Sequence, residues 1–291
     1  MLLLLVKPAA RRRKKYSLVV EQLVAQGAIE LVSHDAQFLR QEVSNYIAQF
    51  SEPVTVVACG GDGTAHLLIN AVFDLPVTFA VVPMGTGNDF SRYLGIKNLS
   101  QALQVLADGE SSSMDVGSIN HSAGMRYFIG IASCGFDAQV NERANSYRGP
   151  KGTAKYVASL IVELKNLAPL EIQIRNGQDL QDHRVTLLAV ANTSSYGGGM
   201  KVAPDADAFD GNLNVVHVAE VSRLTLLKVF PKVFRGSHVT HPAVTITSAK
   251  ALGVVGNDFP IYADGEFVGR GPASFKVHPA ALQVLHPARG Q

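Results

Sequence analysis

The chain has 291 residues, of which 47% are hydrophobic and 17% charged, so it has enough apolar material for a core and a length typical of about two domains. A formal net charge of +2 indicates no strong field for nucleic acid, and we expect no nucleic-acid partner. The two cysteines, Cys59 and Cys134, exclude a disulfide framework and suit a reducing compartment. The short apolar N-terminus is interpreted as a buried strand rather than a signal peptide, and no run approaches the ~20 residues that span a bilayer. We therefore expect a soluble, cytoplasmic protein that contacts membrane surfaces transiently.

The first part of the chain alternates strand and helix signals. Continuous apolar runs predict strands over Leu2–Val6, Ile29–Ser33, Val54–Cys59 and Val77–Val82. Apolar residues at helical spacing predict helices over Tyr16–Gln26, Ala36–Phe50, Thr64–Phe73, Asp89–Leu94 and Leu99–Asp108. Apolar strands that alternate with helices indicate an α/β domain, in which a parallel sheet has helices on both faces.

After about Met114 the pattern changes to short strand candidates bounded by turn residues, which is typical of a β-rich antiparallel sandwich. These candidates are Tyr127–Ile131, Leu170–Ile174, Val185–Asn192, Leu213–Val218, Val244–Thr247, Ile261–Ala263 and Phe275–Val277. Two helical stretches, Thr153–Asn166 and Ser222–Phe234, interrupt them. We predict an α/β domain over residues 1–118, completed by 279–291, and a β-sandwich domain over residues 119–278.

A glycine-rich loop, Gly60-Gly61-Asp62-Gly63, joins a predicted strand to a predicted helix. Glycines permit positive φ and close backbone approach, and consecutive N–H groups at a helix N-terminus form an anion site. An aspartate there would repel a phosphate unless it holds Mg²⁺ or a nucleotide hydroxyl. The alternative is a tight turn with Asp62 as a capping residue, and the loop alone does not decide between the two.

A second loop, PMGTGND over residues 83–89, also follows a strand and precedes a helix. Two such loops after neighbouring parallel strands would converge at the carboxyl edge of the sheet, where open α/β folds bind ligands. Neither loop has the GxxxxGK[ST] spacing of a P-loop or the GxGxxG spacing of a dinucleotide site. The pair therefore predicts a phosphate site of a different type.

GGDGT followed by PMGTGNDFSR resembles the catalytic domain of diacylglycerol kinases, and more closely the soluble bacterial lipid kinases related to sphingosine kinases and NAD kinases. The resemblance covers nearly the whole chain in order. It continues through MDVG (114–117), CGFDA (134–138), GPKGTAKYVA (149–158), YGGGMKVAPDADAFDGNLNV (196–215) and YADGEFVG (262–269).

The resemblance implies an ATP site in the first domain. It places the following residues at the nucleotide: Lys7, Ser33, Gly60, Gly61, Asp62, Gly63, Thr64, His66, Gly85, Thr86, Gly87, Asn88 and Asp89. Ser33 stands where the family often has a threonine. The first phosphate loop departs from the family pattern, since VKPAAR has Lys7 in place of asparagine and Arg11 in place of glycine. Lys7 is expected to meet a phosphate as a point charge.

Phosphoryl transfer to an alcohol requires positioning, charge neutralisation by Mg²⁺ and a base near the attacking hydroxyl. Asp264-Gly265-Glu266 lies in IYADGEFVG, and its spacing alone favours a plain Asp-Gly turn. The resemblance places the general base on Glu266. Asp62 is assigned to the nucleotide or metal, although the equivalent aspartate is the suspected base in sphingosine kinases, and Asp264 would support either role.

Three further acids, Asp205, Asp207 and Asp210, lie close together in APDADAFDGN. They could ligate a hard cation with backbone carbonyls, or form a solvated acidic turn. The resemblance favours a structural or regulatory Mg²⁺ held by Asp207, Asp210 and the Asn212 backbone, while the catalytic Mg²⁺ arrives with ATP.

Two basic segments and a histidine pair have alternative interpretations. The run Arg11–Lys15 is typical of a solvated helix start, but could touch phosphate or anionic lipid. The mixture of apolar and basic residues in the helix Ser222–Arg235 is explained by one face packed on the core and one face exposed to solvent, and interfacial membrane contact is the alternative. His238 and His241 have a spacing that could bind metal, but no cysteine or acid accompanies them, so core or solvent-facing histidines are favoured.

Together these features predict an ATP-dependent lipid kinase that transfers the γ-phosphate to a lipid hydroxyl, making phosphatidate from diacylglycerol. One alternative is a kinase for another lipid alcohol, such as a sphingoid base, monoacylglycerol, glycolipid or polyprenyl lipid. The other is a non-catalytic nucleotide- or lipid-binding relative. The sequence leaves open whether the chain forms a homodimer.

Overall fold

A computed structural model of the chain describes residues 1–146, 153–177 and 179–288. The chain divides into two compact units. The N-terminal unit comprises Met1–Met114 together with the chain from Ala280 onward, and the C-terminal unit comprises Asp115–Pro279.

The N-terminal unit is built on a parallel sheet. Its strands are β1 (Leu2–Val6), β2 (Ile29–Leu31), β3 (Val54–Gly60) and β4 (Val77–Pro83). Their order across the sheet is β4-β3-β1-β2, and Gln283 and Val284 near the C-terminus add a further parallel pairing to β4. Strands β1, β3 and β4 are almost entirely buried, which is the burial expected of a sheet covered on both faces.

Six helices accompany this sheet within the described residues. They are α1 (Pro8–Arg11), α2 (Lys14–Ala25), α3 (Ala36–Gln49), α4 (Asp62–Val72), α5 (Asp89–Tyr93) and α6 (Leu99–Asp108). The α/β prediction for this part of the chain is confirmed. Helix α3 begins after Asp35, whose side chain accepts hydrogen bonds from the N–H groups of Gln37 (2.7 Å) and Phe38 (3.0 Å), a side-chain N-cap.

The C-terminal unit is predominantly antiparallel β structure, as predicted. Its strands, of which the first and last extend into the N-terminal unit, are β5 (Glu110–His121), β6 (Gly124–Phe128), β7 (Ile131–Gly135), β8 (Leu170–Asn176), β9 (Asp179–Ala191), β10 (Leu213–Ala219), β11 (Val244–Ala249), β12 (Ala251–Gly256), β13 (Pro260–Ala263), β14 (Glu266–Arg270) and β15 (Ala273–His286). The long strand β9 is central, since it pairs with β7, β8 and β10.

The described part of the same unit also contains three α-helices: α7 (Phe136–Ser146), α8 (Thr153–Glu163) and α9 (Arg223–Val233). Short 3₁₀ turns follow at Leu164–Asn166 and Ser237–Thr240. Side chains of α7 and α8 pack with those of β9 and β10 in one buried apolar cluster, and a second cluster joins the strands to each other. The start of the GPKGTAKYVA motif, residues 149–152, lies outside the described residues.

Candidate functional site

The loops predicted to bind a nucleotide meet at one edge of the parallel sheet. Lys7 follows β1, Ser33 follows β2, and the two glycine loops follow β3 and β4. Because the four strands are neighbours at about 4.8 Å spacing and run in the same direction, their carboxyl ends form a single row. The geometry of the N-terminal unit therefore brings these predicted site residues together.

The two glycine loops touch through their backbones. The carbonyl of Gly60 accepts hydrogen bonds from the N–H groups of Met84 (2.8 Å) and Gly85 (3.1 Å). A Cβ atom on Gly85 would lie 2.5 Å from the Gly61 Cα, closer than real Cβ atoms approach. The glycines at positions 60, 61, 85 and 87 do not have positive φ. Close backbone approach, rather than a left-handed conformation, is thus what requires glycine here.

Asp62 links the first loop to the helix that follows the second. Helix α4 begins at Asp62, two residues earlier than the predicted Thr64, and the Asp62 Oδ1 accepts a hydrogen bond from the Phe90 N–H at 3.0 Å. Phe90 lies in the first turn of α5, where backbone N–H groups lack helical partners. The Asp62 carboxylate therefore caps α5, whereas the capping alternative concerned the turn into its own helix.

The second loop is held by its own side chains. Asn88 has φ of 55°, a left-handed conformation that asparagine tolerates, and its Oδ1 accepts from the Gly85 N–H at 2.9 Å. Asp89 is buried and accepts from the Arg92 Nη2 at 2.6 Å, while the same guanidinium donates to the Gly87 carbonyl. Sequence reasoning missed Arg92, although its i, i+3 spacing from Asp89 signalled an ion pair.

The remaining predicted nucleotide residues differ in exposure. Thr64 and His66 are buried in the first turns of α4, and the His66 carbonyl accepts from Asn70 Nδ2 at 2.8 Å. Thr86 is exposed at the tip of the second loop. Ser33 is half-buried, and its hydroxyl accepts from the Asp35 N–H at 3.0 Å, so it also forms the turn that enters α3. Thr86 thus presents a hydroxyl to solvent, whereas Thr64 and His66 lie below the loop surface.

The altered first phosphate loop forms a single helical turn, α1. Arg11, in the place of the family's glycine, makes two hydrogen bonds to Glu30 of β2, the Nε–Oε1 bond at 3.0 Å, and an ion pair with Glu21 of α2. Arg11 therefore serves to attach α1 to its neighbours. Lys7 is exposed next to this turn, and its N–H donates to the Cys59 carbonyl at 3.3 Å.

In the C-terminal unit, Asp264-Gly265 forms a two-residue hairpin turn between β13 and β14. Both residues have positive φ, 53° and 83°, as a type I′ turn requires. The Asp264 carboxylate accepts from the N–H groups of Gly130 (2.8 Å) and Ile129 (3.3 Å). Glu266 is the first residue after the turn and is exposed. Asp264 thus anchors the turn from which Glu266 projects.

The Glu266 carboxylate lies in an acidic neighbourhood within this unit. The pKa of Tyr262 is raised mainly by burial of its ring, and further by the negative charges of Glu142 and Glu266. Tyr262 packs edge-on against Phe267 with ring centroids 5.5 Å apart. The contact between Tyr262 and Phe267 packs the hairpin strands together, while the Glu266 carboxylate next to them is exposed.

The acidic turn predicted to hold Mg²⁺ consists of two aspartate turns. The Oδ1 of Asp207 accepts from the Phe209 N–H (3.2 Å), and the Oδ1 of Asp210 accepts from the Asn212 N–H (2.8 Å). Both aspartates are exposed. Across the described ranges, no group of three or more His, Cys, Asp or Glu side chains is placed to hold a metal ion. Carboxylate oxygens are the type of ligand that a hard cation prefers, but backbone oxygens would be needed to complete the coordination at this turn.

The two histidines of HVTH each contact a different backbone group. The buried His238 contacts the Val202 carbonyl through Nε2 at 3.1 Å, and the His241 Nδ1 accepts from the Ala243 N–H at 3.2 Å. Burial lowers the pKa of His238, so its neutral form is favoured. The core-histidine interpretation fits this arrangement.

An apolar pocket lies between α9 and the sheet of the C-terminal unit. It holds about 80 Å³ of space. The residues lining it come from α7, α8, β9, β10, α9 and nearby loops: Phe136, Asp137, Tyr156, Leu160, Thr186, Leu187, Val202, Val216, Val218, Leu226, Val229, Phe230, Val233, His238 and Val244. Sequence reasoning missed this pocket, because its lining residues look like core residues in one dimension.

A buried carboxylate lies in the wall of this pocket. Asp137 is 1% exposed, and its Oδ1 accepts hydrogen bonds from the hydroxyls of Tyr156 and Tyr196. Asn141 donates to its other oxygen at 3.2 Å. Burial raises the pKa of Asp137, against the opposing effect of its hydrogen bonds. The pocket therefore combines an apolar lining with one polar cluster, a combination common in small-molecule sites.

Both halves of the chain match families of known proteins. Residues 1–119 match the model of the diacylglycerol kinase catalytic domain, and residues 130–286 match the model of the YegS C-terminal NAD kinase beta sandwich-like domain. Together with the two-unit fold, these matches define the protein as a kinase with an α/β first unit and a β-sandwich-like second unit.

Curated relatives support the same assignment. A diacylglycerol kinase of Mycobacterium tuberculosis (strain ATCC 25618 / H37Rv) is 36% identical over 266 residues, which cover 90% of this chain and 85% of the relative. A diacylglycerol kinase of Staphylococcus epidermidis (strain ATCC 12228 / FDA PCI 1200) is 30% identical over 242 residues, covering 81% of this chain and 75% of the relative. The chain therefore belongs to the diacylglycerol kinase family.

A solved structure from Bacillus anthracis str. Sterne, described as a diacylglycerol kinase, has the same fold. Its TM-score to this chain is 0.71 at 16% identity, with 99% of this chain and 97% of the other covered. At this identity the likeness concerns the fold alone. Among the described residues of the present chain, no helix is long and apolar enough to cross a membrane.

The contact between the glycine loops yields a first prediction. Gly85→Ala should lower the melting temperature by several degrees, since the added Cβ would displace the Gly61 backbone at an expected cost of about 1–3 kcal/mol. Gly253→Ala on β12 is the matched control, because its Cβ would meet only the Arg175 Cβ at an ordinary 3.5 Å. Differential scanning calorimetry of both variants checks this, and equal melting temperatures would contradict the proposed close packing.

The buried carboxylate yields a second prediction, on pH. Because the pKa of Asp137 is raised above the ordinary value of about 3.9, the folded protein binds this proton more tightly than the unfolded chain. Its contribution to stability is full below about pH 4 and declines as the pH rises toward the raised pKa. The stability of the parent protein relative to Asp137→Asn should therefore fall as the pH is raised above about 4.

Thermal melts of both proteins across this pH range measure the difference. Asp182→Asn, at an exposed position on β9, is the control and should show no such trend. A stability difference for Asp137→Asn that is constant, or that grows with pH, would show that Asp137 is not a carboxyl with a raised pKa.

Proposed function

We propose that the protein transfers the γ-phosphate of ATP to the hydroxyl of a membrane lipid, converting diacylglycerol to phosphatidate. The observation that carries the proposal is the pair of interlocked glycine loops at the carboxyl edge of the parallel sheet, in a chain of the diacylglycerol kinase family. The names of the relatives described above indicate diacylglycerol as the acceptor. The apolar lining of the pocket is consistent with a lipid acceptor.

The glycine loops are proposed to bind the ATP phosphates. Their backbones approach without intervening side chains, and α4 directs its N-terminus to the loop. The Asp62 carboxylate is compatible with a nearby phosphate, since it is directed to the Phe90 N–H. Lys7 and Thr86 are exposed at the same edge and are proposed to contact phosphate and nucleotide, with Ser33 beside them.

Magnesium is proposed in two roles. Mg²⁺ that arrives with ATP neutralises phosphate charge. A second, structural Mg²⁺ is proposed at Asp207 and Asp210 with the Asn212 backbone, whose oxygen donors suit it in kind.

Glu266 is proposed as the general base. It takes the proton of the lipid hydroxyl as that oxygen bonds to the γ-phosphorus and the bond from this phosphorus to the bridging oxygen of ADP breaks. An exposed carboxylate on an anchored turn suits this role, because Asp264 fixes the turn through Gly130 and Ile129. Asp264 is accordingly a positioning residue.

The acceptor is proposed to place part of an acyl chain in the apolar pocket. The pocket volume of about 80 Å³ is small beside the roughly 300–1,000 Å³ typical of drug-sized ligands. A whole diacylglycerol would therefore require its outer wall, α9, to move. None of the α9 side chains is fully buried, but Leu226, Phe230 and Val233 pack against the apolar core, so that movement would separate these contacts.

A third prediction tests the base. Glu266→Gln should lower transfer of labelled γ-phosphate from Mg-ATP to diacylglycerol in mixed micelles by about 10²- to 10⁴-fold, because the amide cannot accept the proton. The affinity for ATP, measured by calorimetry, should not change. Glu142→Gln, an exposed glutamate in the same neighbourhood, is the control and should retain turnover.

Monoacylglycerol, sphingosine, ceramide and NAD complete the acceptor panel. If one of these is phosphorylated and diacylglycerol is not, the protein is a kinase whose acceptor differs from the one proposed. No product from any acceptor, with ATP still bound, would favour a binding protein over an enzyme.

A further inference from the structure

Helix α9 has two apolar faces. One face, with Leu226, Phe230 and Val233, lines the apolar pocket. The solvent-exposed side of the helix carries Leu224, which is 70% exposed, and Leu227, which is 43% exposed. These two leucines are separated by three positions and therefore lie on one side of the helix. A solvent-facing leucine pair in addition to a packed apolar face is unusual for a surface helix, whose outer face is normally polar.

The exposed leucines are surrounded by positive charge. Arg223, Lys228, Lys232 and Arg235 are all exposed on or directly after α9. No aspartate or glutamate occurs in the sequence between Glu220 and Asp258. Glu220, which precedes α9, pairs with Arg184, and Glu163 at the end of α8 pairs with Arg143.

The end of α8 extends the same surface. The Arg223 guanidinium donates to the Lys165 carbonyl at 2.7 Å, which brings the start of α9 to the 3₁₀ turn after α8. Ile161, one helical turn before Lys165, is 59% exposed, and Val162 is 43% exposed. The patch therefore contains exposed aliphatic side chains from two helices together with exposed cations.

We propose that α9, with the end of α8, is the surface through which the protein docks on an anionic lipid bilayer. Exposed leucines inserted among acyl chains, with flanking cations at the anionic headgroups, are the features of interfacial helices. Charge complementarity selects this partner, because the exposed cations of the patch suit anionic headgroups. The pocket lies on the other face of the same helix, so a lipid leaving the bilayer would reach it around α9. That last step rests on the proposed function.

The rival surface is the basic run at the start of α2. Arg11 is engaged with Glu30 and Glu21, and the Arg13 guanidinium lies 4.4 Å from the centroid of the Tyr16 ring. One exposed apolar side chain, Leu18 at 55%, accompanies this run. Two of its cations thus already have partners within the protein.

Sedimentation with vesicles of phosphatidylcholine, with or without phosphatidylglycerol, tests the proposal on the whole chain. The parent protein should bind only the anionic vesicles. Leu224→Gln/Leu227→Gln should weaken binding by about tenfold or more. Arg223→Gln/Lys228→Gln/Lys232→Gln should weaken it by about fivefold for each charge removed. Leu180→Gln on β9, 46% exposed, and Leu18→Gln on α2 are the controls and should bind like the parent.

Turnover separates docking from chemistry. With a short-chain diacylglycerol dissolved as monomers, the leucine variant should keep parent-like phosphorylation while losing it on vesicle-borne acceptor. Unchanged vesicle binding of both α9 variants, or loss of binding in Leu18→Gln alone, would overturn the proposal. Vesicle binding that depends on α9 without phosphorylation of any acceptor would uphold the docking surface and refute the proposed function.

Discussion

The hydrogen bond from the Phe90 N–H to the Asp62 carboxylate is the interaction on which the N-terminal site depends. It joins the first turn of α5 to the first turn of α4, and so fixes the loop after β4 against the loop after β3. The glycines allow the two backbones to meet, and the aspartate holds them there. The acid between glycines therefore has a structural role, as the acceptor of the Phe90 N–H.

Carboxylates also accept hydrogen bonds from backbone N–H groups of distant segments in the C-terminal unit. Asp264 accepts from the Gly130 and Ile129 N–H groups, and the buried Asp115 accepts from the Gly211 N–H at 2.6 Å. In each case a carboxylate satisfies backbone donors of a distant segment, and charge-assisted bonds of this kind are among the stronger ones in proteins. These two aspartates and Asp62 therefore position turns or helix ends, and the proposed base Glu266 directly follows the turn that Asp264 anchors.

The sequence allowed the fold class to be predicted, because apolar periodicity and the order of glycine loops are local signals. It also predicted which loops lie together, since parallel strands share a carboxyl edge. It did not predict α7, whose segment FDAQVNERANS has a weak apolar pattern, or the full length of β15, within which Phe275–Val277 was the strand candidate. The partner of Asp62 and the Asp137–Tyr156–Tyr196 cluster depend on tertiary contacts between distant segments, which no local pattern records.

The most direct test of the account is amide hydrogen exchange of the parent protein with and without a non-hydrolysable Mg-ATP analogue. If the two loops form one phosphate site, residues 60–64 and 84–90 should gain protection together. In Asp62→Ala, Phe90 should exchange faster than in the parent even without nucleotide, because its acceptor is gone. Protection by the nucleotide that appears elsewhere, or in one loop without the other, would contradict a shared site.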